Sequence, residues 1–580
     1  MPMVTVNSVE VEVDKGTSIL QAAAQAGFAV PHFCYHPALS SPANCRMCLV
    51  EVEGAHKLLP GCYNSVNDGM VVLTESERVH YARKAVLEFI LVNHPVDCPI
   101  CDKAGECKLQ DYYFAYDAQE SRMRAEKQHK VKAYPIGPKI VYDGERCILC
   151  TRCIRFCDEI TGTSELTLID RGDKTEVRTF PGMELDNDYS LCTVDICPVG
   201  ALTSRDFRFK CRVWLLTSTD SICTGCEMGC NVHMDHFRNE VQRYRPRYNP
   251  EVNDYWICDR GRMTYKRIHE DRFLQPMNNG AEVNWHSVSQ TVADKLGRVI
   301  ESHGADAVAL VLSPQASCED LYLAKRFHES ALEGAAPLYV NGYARGDSDD
   351  LLKREDKNPN RRGIEAVWAG MEGIQPFEDL QEDLANGTIK AVYMMGTELP
   401  IEGSERAEFV SHIEGLELFI LQAMNTGGEL IEHAHIALPA CSHAEKDGTF
   451  VNVEGLAQPF YQAFAPHGDS MPDWQIFSRL ARKMGHTLSL TSLHQIQEKM
   501  FEATKLKQEA EEKARLEAEA QAKAAKEAEE KAAKEAAEKA AAEAAAAAEA
   551  EQAAEAAPEA ADGDGEEDAG EEADDQPPAE

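Results

Sequence analysis

The chain contains no run of the roughly 18 to 20 apolar residues that crosses a bilayer; its longest comparable stretch is the short segment 307–312. Any membrane association is therefore expected only through partners. The first residues, MPMVTV, lack the basic segment and apolar core of a secretory signal, so export is not expected. Positive charge is scarce: 59 Lys and Arg stand against 97 Asp and Glu among 580 residues, a formal net charge of -38. Without a long cationic surface to displace counterions, no nucleic-acid partner is expected. No G-x-G-x-x-G turn links a strand to a helix, which argues against a dinucleotide site on this chain. What the sequence does hold is cysteine, 20 of them. In a reducing cytosol disulfides do not persist, and a cysteine-rich chain there more often commits its thiolates to metal.

Val4, Val6, Val9, Val11 and Val13 alternate around Asn7-Ser8, which predicts a short hairpin with one buried face. A helix over 18–26 ending at Gly27 should follow, and then a cysteine loop, completing a compact opening domain. Thr74-Glu75-Ser76-Glu77 has capping-box spacing, and Val79, Ala82, Val86, Phe89 and Ile90 predict a helix up to His94. The basic segment 122–132 reads as a boundary or a solvated contact face. From about 270 to 490 the cysteines nearly stop. Strand-like runs at 307–312 and 389–395 alternate there with helical stretches such as 318–332, which predicts an α/β domain with parallel strands.

Ser492-Leu493-His494-Gln495 again has capping-box spacing, ahead of a segment of almost pure Ala, Glu and Lys to residue 557. Pairs four apart, such as Glu509 with Lys513 and Glu535 with Lys539, predict a long solvated helix, and the missing apolar seam argues against a coiled coil. The acidic end, 558–580, has too little apolar surface to fold. Residues 501–580 hold 26 acidic and 9 basic residues, so about 17 of the 38 excess negative charges belong to a stretch without cysteine.

Sixteen residues fall into four groups with metal-ligand spacing. Cys34, Cys45, Cys48 and Cys62 have gaps of ten, two and thirteen residues, and their setting after a hairpin and helix suits a [2Fe-2S] site, with zinc the alternative. His94, Cys98, Cys101 and Cys107 offer only three thiolates, so either a fourth ligand comes from elsewhere or His94 completes a [4Fe-4S] site. Cys147, Cys150 and Cys153, with Cys197 before Pro198, read as one [4Fe-4S] site. Cys157 and Cys192 would then be buried remnants of a lost second site. Cys223, Cys226, Cys230 and Cys258 form the fourth group, read as [4Fe-4S] with zinc again the alternative. One [2Fe-2S] and three [4Fe-4S] clusters amount to about fourteen irons per chain.

The order of these groups, with His94-Pro95-Val96-Asp97-Cys98-Pro99-Ile100-Cys101 and Cys147-Ile148-Leu149-Cys150-Thr151-Arg152-Cys153, resembles the family of G-type large iron-sulfur subunits of bacterial NADH-quinone oxidoreductase, respiratory complex I. The resemblance covers about 1–490. It implies an α+β and α/β multidomain chain. A [2Fe-2S] β-grasp ferredoxin-like domain (1–78) is followed by a His/Cys3 [4Fe-4S] module (79–137), a ferredoxin-like [4Fe-4S] module (138–215) and a [4Fe-4S] module of molybdopterin-oxidoreductase type (216–272). A degenerate molybdopterin-oxidoreductase-like α/β domain (273–490), the charged helix (491–557) and the disordered acidic end (558–580) complete it. All four ligand sets carry over position by position. The implied role is electron relay from a flavin- and NADH-binding subunit, among other iron-sulfur subunits of the peripheral arm, toward quinone. No catalytic residue is implied on this chain, and the implied place is the cytoplasmic face of the cell membrane, held there by partner subunits.

Leu438-Pro439-Ala440, Glu445-Lys446-Asp447-Gly448-Thr449-Phe450 and Asn452-Val453-Glu454-Gly455 resemble a segment near the pterin in active molybdopterin enzymes. Leu456 stands where such enzymes commonly have arginine, Arg260 where they have lysine, and Gly396-Thr397-Glu398-Leu399-Pro400 lacks an expected asparagine. The domain is accordingly expected to be an emptied scaffold without molybdopterin. A subunit of an NAD-linked formate dehydrogenase or hydrogenase is the alternative within redox chemistry; a zinc-stabilised scaffold is the alternative outside it.

Overall fold

The opening hairpin forms as the valine alternation predicts. Strands β1 (Met3–Val6) and β2 (Val9–Glu12) pair antiparallel, and Asn7 and Ser8 take φ of 46° and 75°, the left-handed turn that a two-residue hairpin needs. The computed structural model describes residues 1–500 except 118–119, 369–372, 489 and 491. The charged helix beyond residue 500 and the acidic end therefore lie outside the described residues. Helix α1 (Ile19–Gln25) starts at a reciprocal capping box between Ser18 and Gln21, and Gly27 beyond its end sits at φ 87°. With β3 (Leu49–Val52), β4 (Leu59–Pro60) and β5 (Met70–Leu73) the sheet order is β2-β1-β5-β3-β4, and β1 runs parallel to β5. Val4, Val6, Ile19, Val50 and Val72 fill the face toward α1, a β-grasp arrangement.

Helix α2 (Glu77–Leu91) departs from its sequence expectation at both ends. Ser76 is the N-cap, accepting from the Val79 N–H at 3.4 Å, whereas Thr74 Oγ1 accepts from Asn7 Nδ2 at 2.6 Å and ties the strand end to the hairpin turn. The helix also stops before His94, because the residue ahead of Pro95 is pushed away from helical geometry. Helix α3 (Lys108–Tyr112) passes into one π turn over Tyr113–Asp117. A three-stranded sheet follows, in which β7 (Ile140–Tyr142) lies between β6 (Tyr134–Pro135) and β10 (Leu202–Ser204), with α4 (Arg152–Glu159), the small pair β8 (Leu166–Ile169) and β9 (Glu176–Thr179), and α5 (Cys192–Ile196) coming between β7 and β10 in the chain. A second three-stranded sheet, β11 (Thr217–Ile222), β12 (Asn231–Phe237) and β13 (Glu240–Pro246), leads to α6 (Asp259–Met263).

The α/β half is an eight-stranded sheet in which β14 (Met277–Asn278) and β15 (Ala281–Glu282) make an antiparallel edge. After α7 (Trp285–His303), strands β16 (Val308–Leu312), β17 (Leu338–Val340), β18 (Ile374–Pro376), β19 (Ala391–Met395), β20 (Leu418–Ala423) and β21 (Ile436–Pro439) run parallel, with α8 (Cys318–Ala331) following β16. Every residue of β16, β19 and β20 is buried, as expected of strands covered on both faces. The chain order moves from β16 to β17 and β18 on one side, then returns to β19, β20 and β21 on the other. Residues Met1–Met500 form one compact unit. One hydrophobic cluster, distinct from those of the β-grasp sheet and the α/β half, holds Cys34 and the buried cysteines of the third and fourth groups, with Cys45 and Cys107 at its margin, while Cys48 and Cys62 lie in the β-grasp core.

Candidate metal centres

In three of the four cysteine groups the backbone turns an N–H onto a cysteine sulfur. In the first, Ala43 and Arg46 take φ of 51° and 59°, and the Cys34 N–H points at Cys45 Sγ at 3.5 Å. In the third, Leu149 and Thr151 take φ of 56° and 62°, and the Leu149 N–H lies 3.4 Å from Cys147 Sγ. In the fourth, the Gly225 N–H faces Cys223 Sγ at 3.4 Å and the Gly261 N–H faces Cys258 Sγ at 3.2 Å. Backbone donors aimed at sulfur stabilise negative charge there.

The thiols of a group crowd one another. Among the described residues no three His, Cys, Asp or Glu side chains converge on one point as a single ion requires. Instead the first group forms a chain in which Cys45 hydrogen-bonds to Cys34, Cys34 to Cys62 and Cys62 to Cys48. Cys153 and Cys230, both buried, are pushed well up, first by burial and then by the other thiols of their own groups. Cys150 rises to about 12 and Cys258 to about 11, burial again leading. Four such sulfurs cannot all be thiolates unless cationic metal offsets their charge.

The second group is built differently. Cys98 is exposed, while Cys101 is buried and Cys107 half-buried. Burial holds His94 down to about 4, with Lys127 and then Arg146 adding to the effect, so the imidazole is neutral. Its Nδ1 is buried and has no hydrogen-bond partner. A cavity of about 520 Å³ opens beside it, lined among others by Cys98, Cys107, Leu109, Phe114 and Lys127. Two glycines complete the fit. A Cβ at Gly200 would stand 2.3 Å from Cys101 Sγ, and one at Gly261 would stand 2.8 Å from Cys223 Sγ and 3.2 Å from Cys258 Sγ. Neutral imidazole, an orphaned ring nitrogen, crowded thiols and backbone pressed onto sulfur are the features a thiolate-held cluster requires.

The groups are also joined to each other. Arg155 Nη2 donates to the Cys34 carbonyl at 2.6 Å and to the Cys150 carbonyl at 3.3 Å. Arg152 donates to the Ile196 carbonyl at 3.0 Å and also to that of Tyr35. Asp97, beside Cys98, is bound by Arg146, beside Cys147, at 2.9 Å, and the Lys108 N–H donates to the Pro198 carbonyl at 3.2 Å. Asp259, beside Cys258, accepts from Ser190 Oγ at 2.7 Å and the Leu191 N–H at 3.0 Å. His36 stacks on Trp256 at 5.4 Å, and Phe156 packs on the same indole at 4.8 Å, so the first, third and fourth groups meet around one ring.

Cys157 and Cys192, read as remnants, are both fully buried. Cys192 Sγ donates to the Ile257 carbonyl at 3.2 Å, with Arg262 Nη2 at 3.8 Å from the sulfur. The basic segment 122–132 is more than a solvated face. It crosses the second group, where Arg122 binds Glu88, Lys127 Nζ donates to the carbonyls of Leu91 and Val92 at 2.8 and 2.9 Å, and Lys132 binds Asp97 at 2.6 Å.

In the α/β half the crevice falls between the ends of β16 and β19, where the strand order reverses and folds of this kind bind ligands. It encloses about 90 Å³ and is lined by residues including Ser313, Gly396, Glu398, Ser442, His443 and Lys446. Lys446, deeply buried, is bound by Asp320 and Asp473, each at 2.6 Å, and Arg272 is bound by Glu445 at 3.0 Å. Among the described residues no helix is long and apolar enough to cross a membrane.

Family models match in the same order along the chain. They are a 2Fe-2S iron-sulfur cluster binding domain at residues 3–77, the NADH-ubiquinone oxidoreductase-G iron-sulfur binding region at 83–122 and the ferredoxin-like domain of NADH-quinone oxidoreductase subunit 3 at 137–203. A molybdopterin oxidoreductase Fe4S4 domain matches at 216–270 and a molybdopterin oxidoreductase at 365–483. The G-type subunit of NADH-quinone oxidoreductase from Rickettsia bellii is 41% identical over 331 residues, 56% of this chain and 48% of that one. Its counterpart of the same name from Streptomyces coelicolor is 38% identical over 337 residues, 57% of this chain and 39% of that one. A mitochondrial NADH dehydrogenase [ubiquinone] iron-sulfur protein 1 from Solanum tuberosum is 29% identical over 608 residues, 86% of this chain and 82% of that one. The chain thus spans about half the length of the first curated relatives it matches.

Proposed function

We propose that the chain is a member of the family of G-type subunits of NADH-quinone oxidoreductase, and that it relays single electrons from a flavin- and NADH-binding partner toward quinone, through iron-sulfur clusters and without a substrate site of its own. Bound iron-sulfur clusters supply reversible one-electron transfer. The chain's own residues would hold and insulate them. Cys34, Cys45, Cys48 and Cys62 hold a [2Fe-2S] cluster in this reading. His94 with Cys98, Cys101 and Cys107, then Cys147, Cys150, Cys153 and Cys197, and last Cys223, Cys226, Cys230 and Cys258, hold three [4Fe-4S] clusters. Neutral His94 contributes one negative charge less than a thiolate would, which favours the reduced state at that site. Other iron-sulfur subunits of a peripheral arm are the remaining partners, and contact with the cytoplasmic face of the membrane runs through such partners.

The observation that carries the reading is the one apolar cluster that reaches cysteines of all four groups, stitched by Arg155 between the carbonyls of Cys34 and Cys150. Close, rigid spacing of redox sites is what a relay needs, whereas independent zinc scaffolds need no common core. The molybdopterin-like half is proposed to be without its cofactor. Its crevice of about 90 Å³ is well below the roughly 300–1,000 Å³ of ordinary ligand pockets. Lys446 and Arg272, cations that could face an anionic ligand, are already paired with buried carboxylates.

Metal analysis with EPR on the purified chain tests the reading. About fourteen irons, no stoichiometric zinc or molybdenum, and EPR signals on dithionite reduction are expected. Stoichiometric molybdenum would favour a formate dehydrogenase subunit instead. A colourless zinc protein would end the relay proposal.

A further inference from the structure

In the basic segment 122–132, Lys127 and Lys130 both donate to main-chain carbonyls, but only Lys127 does so on the wall of the cavity beside His94. Arg122 is engaged by Glu88, and Lys132 by Asp97 and Glu145. Lys127 has no carboxylate partner among the described residues. Its Nζ is spent on the carbonyls of Leu91 and Val92, at the C-terminus of α2 and only two to three residues before His94. It lines the same cavity as His94, Cys98 and Cys107 and is half-buried there, so water screens it only in part. Other charges reach this space: Glu88 and Glu120 on its wall, and Arg146 beyond Asp97.

We propose that Lys127 is an electrostatic tuning residue, whose fixed positive charge raises the reduction potential of the cluster held by His94, Cys98, Cys101 and Cys107. The inference rests on the relay reading and deepens it. On reduction one electron enters the site from the donor, no bond forms or breaks, and the site gains one negative charge. A cation at the cavity wall stabilises that added charge. Two unit charges about 10 Å apart at an effective dielectric of about 20 interact strongly enough to change an equilibrium about tenfold, and that is the scale of effect expected of a cation on the cavity wall. Placing Nζ on helix-terminal carbonyls keeps the ammonium fixed at the wall without cancelling it with a carboxylate.

The test is an EPR-monitored redox titration of the full chain carrying its clusters, with dithionite and mediators as the electron source. The relevant signal is the one that His94→Cys alters. Lys127→Met should move its midpoint to more negative potential by about 59 mV, the one-electron equivalent of tenfold, and Lys127→Arg should restore it. Met123→Lys, which adds a cation to the same wall, should move it the other way. An unchanged midpoint in Lys127→Met with its signal intact would overturn the proposal. If that variant loses the cluster, an unmoved midpoint in Met123→Lys would do the same. Absence of any His94-dependent signal in the wild-type chain would instead defeat the relay reading beneath it.

Discussion

Arg155 Nη2 lies 2.6 Å from the carbonyl oxygen of Cys34, although 121 residues separate the two. The same guanidinium also reaches the carbonyls of Cys150 and Ser40. Two cysteine loops from different sheets are thereby fixed against one side chain on α4.

Removing that side chain should loosen both loops. Arg155→Ala leaves buried carbonyls without their donor, and hydrogen bonds to a charged group contribute about 1.5–3 kcal/mol. A fall of about 2 kcal/mol in unfolding free energy is expected, with broadened EPR signals from both adjacent sites. Urea unfolding followed by circular dichroism measures the first, and an unchanged midpoint would show that the guanidinium only fills space.

His94 should decide the fate of one site alone. His94→Ala is expected to lower iron by about four atoms per chain and erase one EPR signal. His94→Cys should keep the iron and lower that site's midpoint, because a thiolate returns the negative charge that imidazole omits. Full iron in His94→Ala would mean that the fourth ligand lies elsewhere.

Gly261 should tolerate no side chain. A methyl group 2.8 Å from Cys223 Sγ and 3.2 Å from Cys258 Sγ would force one sulfur aside. Gly261→Ala should therefore lose the fourth cluster, about four irons, and keep the other signals. Gly297→Ala, with open space around its Cβ position, serves as the control.

The buried pair of Arg272 and Glu445 predicts a pH dependence away from the cysteines. Burial alone would raise the Glu445 carboxyl, yet Arg272, the Ser442 N–H and His467 outweigh it and hold the pKa below the ordinary carboxylate range. A depressed folded-state value means stability that is present above the unfolded carboxylate range near 4.5 and is lost as pH falls through the folded value. Glu445→Gln should be less stable at pH 7 by about 3 kcal/mol, as for a broken buried pair. In urea titrations its deficit relative to wild type should shrink below about pH 4.5; a deficit constant with pH would refute the ion-pair account.

The cysteine groups are legible in sequence because ligand spacing is local. Cys147, Cys150 and Cys153 announce themselves within seven residues, and only Cys197 has to be brought from a distance. The hairpin and α1 are equally legible, since valine alternation and a Ser18 cap act within one or two turns. The N-cap of α2 is not, because Thr74 and Ser76 offer similar hydroxyls and the choice depends on Asn7, far away in sequence. Arg152 and Arg155 stand in plain view among the cysteines, yet two of their acceptors, Tyr35 and Cys34, belong to another module. Lys127 is hidden for a related reason. Its acceptors are main-chain carbonyls, which leave no trace in sequence.

The common core has a consequence for how the chain comes to be made. Thiols of the first, third and fourth groups are packed among the same apolar side chains, so if these groups hold the proposed clusters, the folding of one module is tied to the filling of its neighbour. On the proposed reading, metal insertion and collapse of the chain would be one cooperative event. A chain starved of iron at any one buried group would carry crowded thiols into the shared interior and open as a whole, offering thiol-rich segments to cellular proteases before it could enter an assembly.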